Sequence, residues 1–241
     1  MDAREKYLDG FDAFLRQRQE PAWLGRLRAA AAARFSASGF PTVHQEAWKY
    51  TNVAALTRLS LASHAGSMLG TNPKLGEFAL PELGGIRLVF VNGIFAPSLS
   101  HSPEAKGVQC GSLAHAVASD SGETLAPYFD GETAAVQAHG FAQLNGAWWH
   151  DGAFVRIAAG VRMPEPIHIV MVSGDAEIAV HPRHVLILEE GAEAAVVESY
   201  VGRVTYLCNP FTRISLGRNA GVNHVRLQLE SEASFHTGVF V

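Results

Sequence analysis

The sequence predicts a mainly β protein in which short strands stack as a coil behind an N-terminal helical region. The first observation is that short apolar runs return about every ten residues over the last sixty positions: Val185-Leu186-Ile187-Leu188, Ala195-Val196-Val197, Thr212 to Leu216, Val225 to Leu229, and Phe235 to Val241. Each run is too short for a helix, is rich in β-branched residues, and is bounded by Gly, Asn or Pro, so each reads as a strand followed by a corner. The second observation is that helical spacing is confined to the earlier part of the chain, with none from Ala153 onward.

Taken in order, Leu8, Phe11 and Leu15, then Trp23, Leu27, Ala31 and Phe35, fall at helical spacing and predict two helices over residues 1 to about 36. Pro21 suits the first turn of the second, and Gly39 with Pro41 ends it. The polar face carries both signs of charge, which favours packing on the body of the protein over a membrane or partner helix. Pro41 to Thr51 is a loop-to-helix passage, and residues 60 to 84 are Gly- and Ser-rich and read as irregular. Arg87 to Phe95 reads as a hairpin turning at Asn92-Gly93, a type I′ signal. Residues 111 to 145 look helical, through Leu113, Val117, Phe129, Val136, Phe141 and Leu144. Phe154 to Ile157 and Ile167 to Val172 then begin the β region. We therefore divide the chain into a helical or mixed region, 1–150, with a hairpin near 87–95, and a coil, 151–241. A coil without a cap leaves an unpaired edge. The coil is accordingly expected to be truncated at its C-terminal end and to associate through Leu227 to Val241, with itself or with a partner.

A chain of 241 residues, 48% hydrophobic and 17% charged, can bury a sizeable core. Its net charge of -4 argues against nucleic acid or an anionic membrane as the main partner. The two cysteines, Cys110 and Cys208, form no CxxC, which argues against disulfide frameworks and thiolate zinc sites and fits a reducing cytoplasm. No apolar core of signal-peptide length follows Met1, and no run of about 18 apolar residues occurs, so a soluble, untargeted protein is expected.

No GxxxxGK[ST], GxGxxG after a strand, GxSxG or HExxH is present, which argues against an autonomous nucleotide hydrolase or a zinc protease. His181 and His184 flank Pro182-Arg183; a spacing of three on an extended segment sends the two rings to opposite faces, so they read as corner residues rather than a ligand pair. Glu189, Glu190, Glu193 and Glu198 cluster near Gly191 and read as a solvated turn, although paired carboxylates can do acid–base work. Cys208 reads as a small buried hydrophobe. Trp148-Trp149-His150, read as extended, places one indole in the core and one outside. No catalytic residue, cofactor-binding residue or metal ligand is assigned.

The passage Glu46-Ala47-Trp48-Lys49-Tyr50-Thr51 resembles the E-x-W-K-Y-T segment of the SufB/SufD family, scaffold proteins of the SUF iron–sulfur cluster assembly system. Three further stretches agree. Val89-Phe90-Val91-Asn92-Gly93 with Leu99-Ser100 is similar to the family's V-F-V-N-G…L-S and favours the SufD branch. Phe141-Ala142-Gln143-Leu144-Asn145, Asp151-Gly152, Ile157, Gly160 and Pro166-Ile167 match the A-L-N…D-G…G…P-I lead into its β-helix. Pro182-Arg183-His184, Glu190-Gly191-Ala192, Glu198, Tyr200, Asn219-Ala220-Gly221, His224, Leu227-Gln228 and Glu230-Ser231 follow its core rungs.

This resemblance, over about residues 40 to 241, implies a right-handed parallel β-helix behind an N-terminal helical domain. It implies a non-catalytic, cytoplasmic subunit that meets SufB through the β-helix and the ATPase SufC through a later helical region, with an iron–sulfur cluster held transiently on the full complex. The family's cluster-linked His and Cys positions and its SufC-binding helices lie in that later part, so no site residue is carried onto this sequence, and neither His224 nor Cys208 is promoted in their place. At Cys208-Asn209-Pro210 the chain departs from the family, and Pro210, lacking a donor, is expected to break its rung's ladder. Competing readings are a carbohydrate-active coil using Glu189, Glu190 and Glu198, and a stand-alone binding module.

Overall fold

The computed structural model describes residues 2–59, 61–63, 73–78, 80–120, 124–129, 133–174 and 177–241. Helices α1 (Ala3–Leu8), α2 (Phe11–Gln17), α3 (Ala22–Ser38), α4 (Ala54–Arg58), α5 (Leu113–Ser119), α6 (Ala134–Gln137) and α7 (Gly140–Trp148) all precede the coil. Early strands β1 (Ala62–Ser63), β2 (Arg87–Val91), β3 (Ile94–Phe95) and β4 (Val108–Ser112) are interspersed with them. Ten strands follow: β5 (Ala153–Ile157), β6 (Ile167–Ser173), β7 (Ile178–Val180), β8 (Arg183–Leu188), β9 (Glu193–Gly202), β10 (Leu207–Cys208), β11 (Phe211–Leu216), β12 (Gly221–Glu230), β13 (Phe235–His236) and β14 (Val239–Phe240).

The chain is mainly strand, and β5 to β13 wind through about three turns of a parallel solenoid. Three sheets form its walls, in the orders β1-β7-β10-β13, β14-β11-β8-β5-β4 and β12-β9-β6-β2-β3. Phe211 pairs with Arg183 and Val239 with Phe211, a step of 28 residues each time. Three strands and three corners share those 28 residues, which is the ten-residue rhythm of the sequence. One corner stacks Gly160, Gly191 and Asn219, all at positive φ (72°, 67° and 58°), a conformation glycine adopts freely and asparagine tolerates. Gly160 N–H donates to Glu190 O and Gly191 N–H to Arg218 O, so each corner hydrogen-bonds the next.

The first turn is covered rather than open. Strand β2 pairs in parallel with β6, β3 folds back on β2, and β4 pairs antiparallel with β5. The β2–β3 turn has φ of 48° at Asn92 and 80° at Gly93, as a type I′ turn requires. Outer faces are covered too. Val185 and Ile187 pack with Trp23, Leu24, Leu113 and Trp149, while Ala179 and Leu207 pack with Phe35, Phe141 and Trp148. Strands covered on both faces read as continuous apolar runs, which is why β6 and β8 are buried at every position.

Several local expectations change. The first predicted helix is two, because Gly10 turns the chain at φ 77°; the buried positions are Tyr7, Phe11 and Phe14, with Leu8 and Leu15 only partly covered. Trp148 and Trp149 are not on a strand but at the end of α7, and both are buried: Trp148 donates to Tyr7 O at 2.8 Å, and Arg28 stacks on Trp149. Phe235 to Val241 is two short strands around a Thr237-Gly238 corner, in step with corners at His181-Pro182 and Asn209-Pro210. Pro210 therefore falls where no strand donor is needed, and pairing is complete from Phe211 to Leu216. Much of the region read as irregular, 60 to 84, lies outside the described residues.

Candidate functional site

The solenoid's interior becomes polar along its length. On one wall, register aligns Ile167, Val196 and His224; Ile169, Glu198 and Arg226; Met171, Tyr200 and Gln228; and Ser173, Gly202 and Glu230. A second wall aligns His184 with Thr212, and the third aligns Val180, Cys208 and His236. Aliphatic packing in the first turn thus gives way to ionisable and hydrogen-bonding groups in the second and third.

Glu198 is the centre of this seam. Its carboxylate is fully buried and accepts from Tyr200 Oη (2.8 Å), Thr212 Oγ1 (2.8 Å), His224 Nε2 (3.0 Å) and Arg226 Nε (3.3 Å). Burial alone would push the Glu198 carboxyl up. The His224 hydrogen bond and the Arg226 charge outweigh it and hold the group below the usual carboxylate range, so it is ionised at neutral pH. His184 lies in the same network, 3.3 Å from Tyr200 Oη, and its Nδ1 accepts from Ala153 N–H at 2.9 Å. Burial lowers His184 to about 4, against the pull of Glu198, so this ring is neutral. Tyr200 is pushed well above its ordinary value, by burial and then by the adjacent carboxylate. A fully satisfied buried charge of this kind ties the β9–β12 wall to the β8–β11 wall and fixes their register.

Beside it lies a second group. Tyr206 Oη donates to Glu230 Oε1 at 2.6 Å, and His236 Nδ1 lies 2.8 Å from Glu230 Oε2. The Cys208 sulfur, a Glu230 oxygen and a His236 ring nitrogen all fall within 4.8 Å of one another. Burial, reinforced by Glu230, pushes the Cys208 thiol well up. The His236 ring stands edge-on to Tyr200 at 4.7 Å, which links the two groups. Among the described residues these are the donors that could hold a metal ion.

A clamp fixes α7 to the corners. Asn145 Nδ2 donates to Pro182 O (2.8 Å) and Asn209 O (2.9 Å), Asn209 Nδ2 donates to Phe141 O (3.0 Å), and Arg183 Nη1 donates to Asn145 Oδ1 (3.1 Å). Asp151 accepts from Ser112 Oγ and from the backbone of Phe95, Ala114 and Gly152, tying β3, α5 and β5 together. Gly152 lies against the Arg183 backbone, where no side chain fits. Asn145, Asp151-Gly152 and Pro182-Arg183-His184, far apart in the sequence, are therefore one structural knot.

The other singled-out residues separate. His181 is fully enclosed, lies 3.1 Å from Asn209 Nδ2, and is lowered to about 3 by burial and then by the neighbouring His150 charge. His181 and His184 do not converge as a ligand pair. Glu189, Glu190 and Glu193 pair at the outer corner with Arg156 (2.6 Å), Arg218 (2.7 Å) and Arg162 (3.1 Å). Such exposed pairs contribute little stability. Glu198 is the exception to the solvated-turn reading, because its side chain points into the lumen. Of the carboxylates invoked for a carbohydrate-active coil, Glu198 thus shares no surface with Glu189 and Glu190. Trp48 packs 5.7 Å from Phe141, Lys49 pairs with Glu46 at 2.5 Å, and Tyr50 is 91% exposed. Composition did not reveal the Glu198 seam. Its signal is the 28-residue step that puts Arg226 beside Glu198, His224 beside Val196 and His236 beside Cys208.

Comparison with known proteins places the chain in a family. Residues 1–169 match the family described as SufBD protein N-terminal region. Residues 170–239 match the SUF system FeS cluster assembly SufBD core domain. The chain belongs to the SufBD family. It is 31% identical over 230 residues, 90% of its length, to an iron-sulfur cluster assembly SufBD family protein of Synechocystis sp., of which the match covers 50%. It is 29% identical over 205 residues, 83% of its length, to iron-sulfur cluster assembly protein SufD of Escherichia coli, covering 45% of that protein. With SufD of Bacillus subtilis it shares 24% identity over 229 residues, 91% of its length and 51% of the relative's. The chain spans about half the length of these relatives. No helix among the described residues is long and apolar enough to cross a membrane.

Proposed function

We propose that this chain is a SufD-like subunit of SUF iron–sulfur cluster assembly, acting as a non-catalytic scaffold in the cytoplasm. The partners we assign are SufB, met through the coil, and the ATPase SufC, met through the helical segment that the family resemblance places after the coil. The cluster is the cargo of the complex, and any ATP hydrolysis belongs to SufC. We also assign residues 1–150 and 151–241 separate roles, the first covering the start of the coil and the second presenting the docking face. The observation that carries the reading is the family match, in order and over nearly the whole chain, on a parallel solenoid. The buried seam supports a scaffold over an enzyme, because its central carboxylate is enclosed and already bonded by four protein groups.

The test is to express the whole gene product with SufB and SufC of the same organism and measure complex mass by light scattering after size exclusion. A stable assembly containing all three, together with restored iron–sulfur enzyme activity in a strain lacking SufD, supports the proposal. Separate elution of the three proteins with no restoration overturns it.

A further inference from the structure

We propose that Cys208, Glu230 and His236 form a binding site for one divalent transition metal ion of the Zn²⁺ or Fe²⁺ type, inside the lumen at the level of β10 and β13. The site follows from register. Cys208 and His236 are direct partners on β10 and β13, so their side chains stack on the same inner face, and Glu230 ends β12 on the adjoining wall. The donor atoms lie within 4.8 Å of one another. A tetrahedral ion with bonds of ~2.0–2.3 Å separates its ligands by roughly 3.5 Å, so a contraction of at most about 1.3 Å completes the set.

One feature points to a ligand rather than to packing alone. The His236 side chain is only 10% exposed, yet its Nε2 is buried with no hydrogen-bond partner among the described residues. Leaving such an atom unsatisfied costs about 1–3 kcal/mol, and binding an ion removes that cost. Gly238 lies against this nitrogen. A β-carbon there would meet His236 Nε2 at 3.2 Å and collide with the Arg226 guanidinium, so only glycine lets the chain pass this close to the unpartnered nitrogen and its neighbouring guanidinium. Glu230, at 2.8 Å from Nδ1, either ligates beside the ring or holds it for ligation through Nε2. Removing its charge weakens binding in both geometries.

The charges and atoms balance. As the sulfur–metal bond forms, the Cys208 thiol proton leaves to solvent; thiolate and carboxylate then neutralise the dication, and no electron is transferred. Arg226, the nearby cation, is paired with Glu198 at 3.3 Å. One sulfur, one imidazole nitrogen and one carboxylate oxygen suit Zn²⁺, Fe²⁺ or Co²⁺ and disfavour Mg²⁺ and Ca²⁺, which require oxygen-rich shells. A cleft of about 330 Å³, lined by Trp48, His139, Phe141, Phe235 and Gly238, borders His236 on its outer side. The site does not depend on the role in cluster assembly.

The experiment is titration of the chelator-stripped chain with Co²⁺, read by the near-ultraviolet thiolate-to-cobalt charge-transfer band and the visible d–d bands. The expected result is one Co²⁺ per chain, displaced by Zn²⁺ and not by excess Mg²⁺. The charge-transfer band should be lost in Cys208→Ser and kept in Cys110→Ser. His236→Gln and Glu230→Gln should weaken Co²⁺ binding about tenfold or more. A parallel reading is the rise in Tm on adding Zn²⁺, expected in the parent chain and absent in His236→Gln, whose fold is checked by its far-ultraviolet spectrum. Absence of the band in the parent chain, its persistence in Cys208→Ser, or an unchanged affinity in His236→Gln would overturn the proposal.

Discussion

Replacing Glu198 with Gln tests whether the buried seam holds the coil together. The side chain is fully buried, and its two oxygens each accept from two groups, Thr212 and His224 on one, Tyr200 and Arg226 on the other. Gln keeps the shape but removes the charge, and its NH₂ faces one hydroxyl, which can turn to accept, and one nitrogen donor, so at least one of the four hydrogen bonds is lost. Removing one member of a buried ion pair costs about 3–5 kcal/mol. Arg226 retains 22% of its side-chain exposure, so water recovers part of that, and a loss of about 3 kcal/mol is expected. In urea unfolding with EDTA present, followed by tryptophan fluorescence and far-ultraviolet circular dichroism, a slope of ~2–3 kcal/mol/M converts this into a midpoint lower by about 1 M. The pair Glu198→Met with Arg226→Met removes both charges and should cost less than the sum of the two single changes by about 1 kcal/mol or more. A Glu198→Gln midpoint equal to the parent's, or strict additivity in the pair, would refute the argument.

Burial lowers His150 to about 4, His181 to about 3 and His184 to about 4, so between those values and about 6.5 the unfolded chain binds protons that the folded chain does not. Stability is therefore full above pH 6.5 and falls on acidification, by about 1.4 kcal/mol per pH unit for each ring and about 4 for the three. Asp151, which burial pushes up, offsets a part; urea midpoints at pH 7, 6 and 5 check this, and a flat profile contradicts it. Gly152→Ala would place a β-carbon against the Arg183 carbonyl carbon at 2.5 Å and nitrogen at 2.8 Å, forcing β5 and β8 apart. A loss of more than about 3 kcal/mol in thermal unfolding is expected for it. Gly25→Ala, in α3 with nothing within 4 Å of the new atom, should instead raise stability by about 0.5–1 kcal/mol.

Much of the fold was legible because strand and corner chemistry is local. β-branched runs bounded by Gly, Asn and Pro specify extended segments and turns wherever they occur, and Asn92-Gly93 specifies a type I′ turn from two residues. The division of helix from coil was visible for the same reason. Where tertiary context intervened, local reading failed: Gly10 turned one predicted helix into two, and Trp148 and Trp149 were drawn wholly inside by Arg28 and the Tyr7 carbonyl.

The site was less legible. Glu198 sits four residues before Gly202 and five after Glu193, and in one dimension it looks like another corner acid. Alternation along β9 turns Glu198 inward, and stacking brings Thr212, His224 and Arg226 to it from strands 14 to 28 residues away. Cys208 and His236 meet in the same way. By itself the sequence determined which segments are strands, where they turn, and which family motifs they carry, because those depend on neighbouring residues. Only the tertiary structure decided which ionisable groups share the lumen, because a 28-residue helical repeat sets neighbours by register between turns rather than by proximity along the chain.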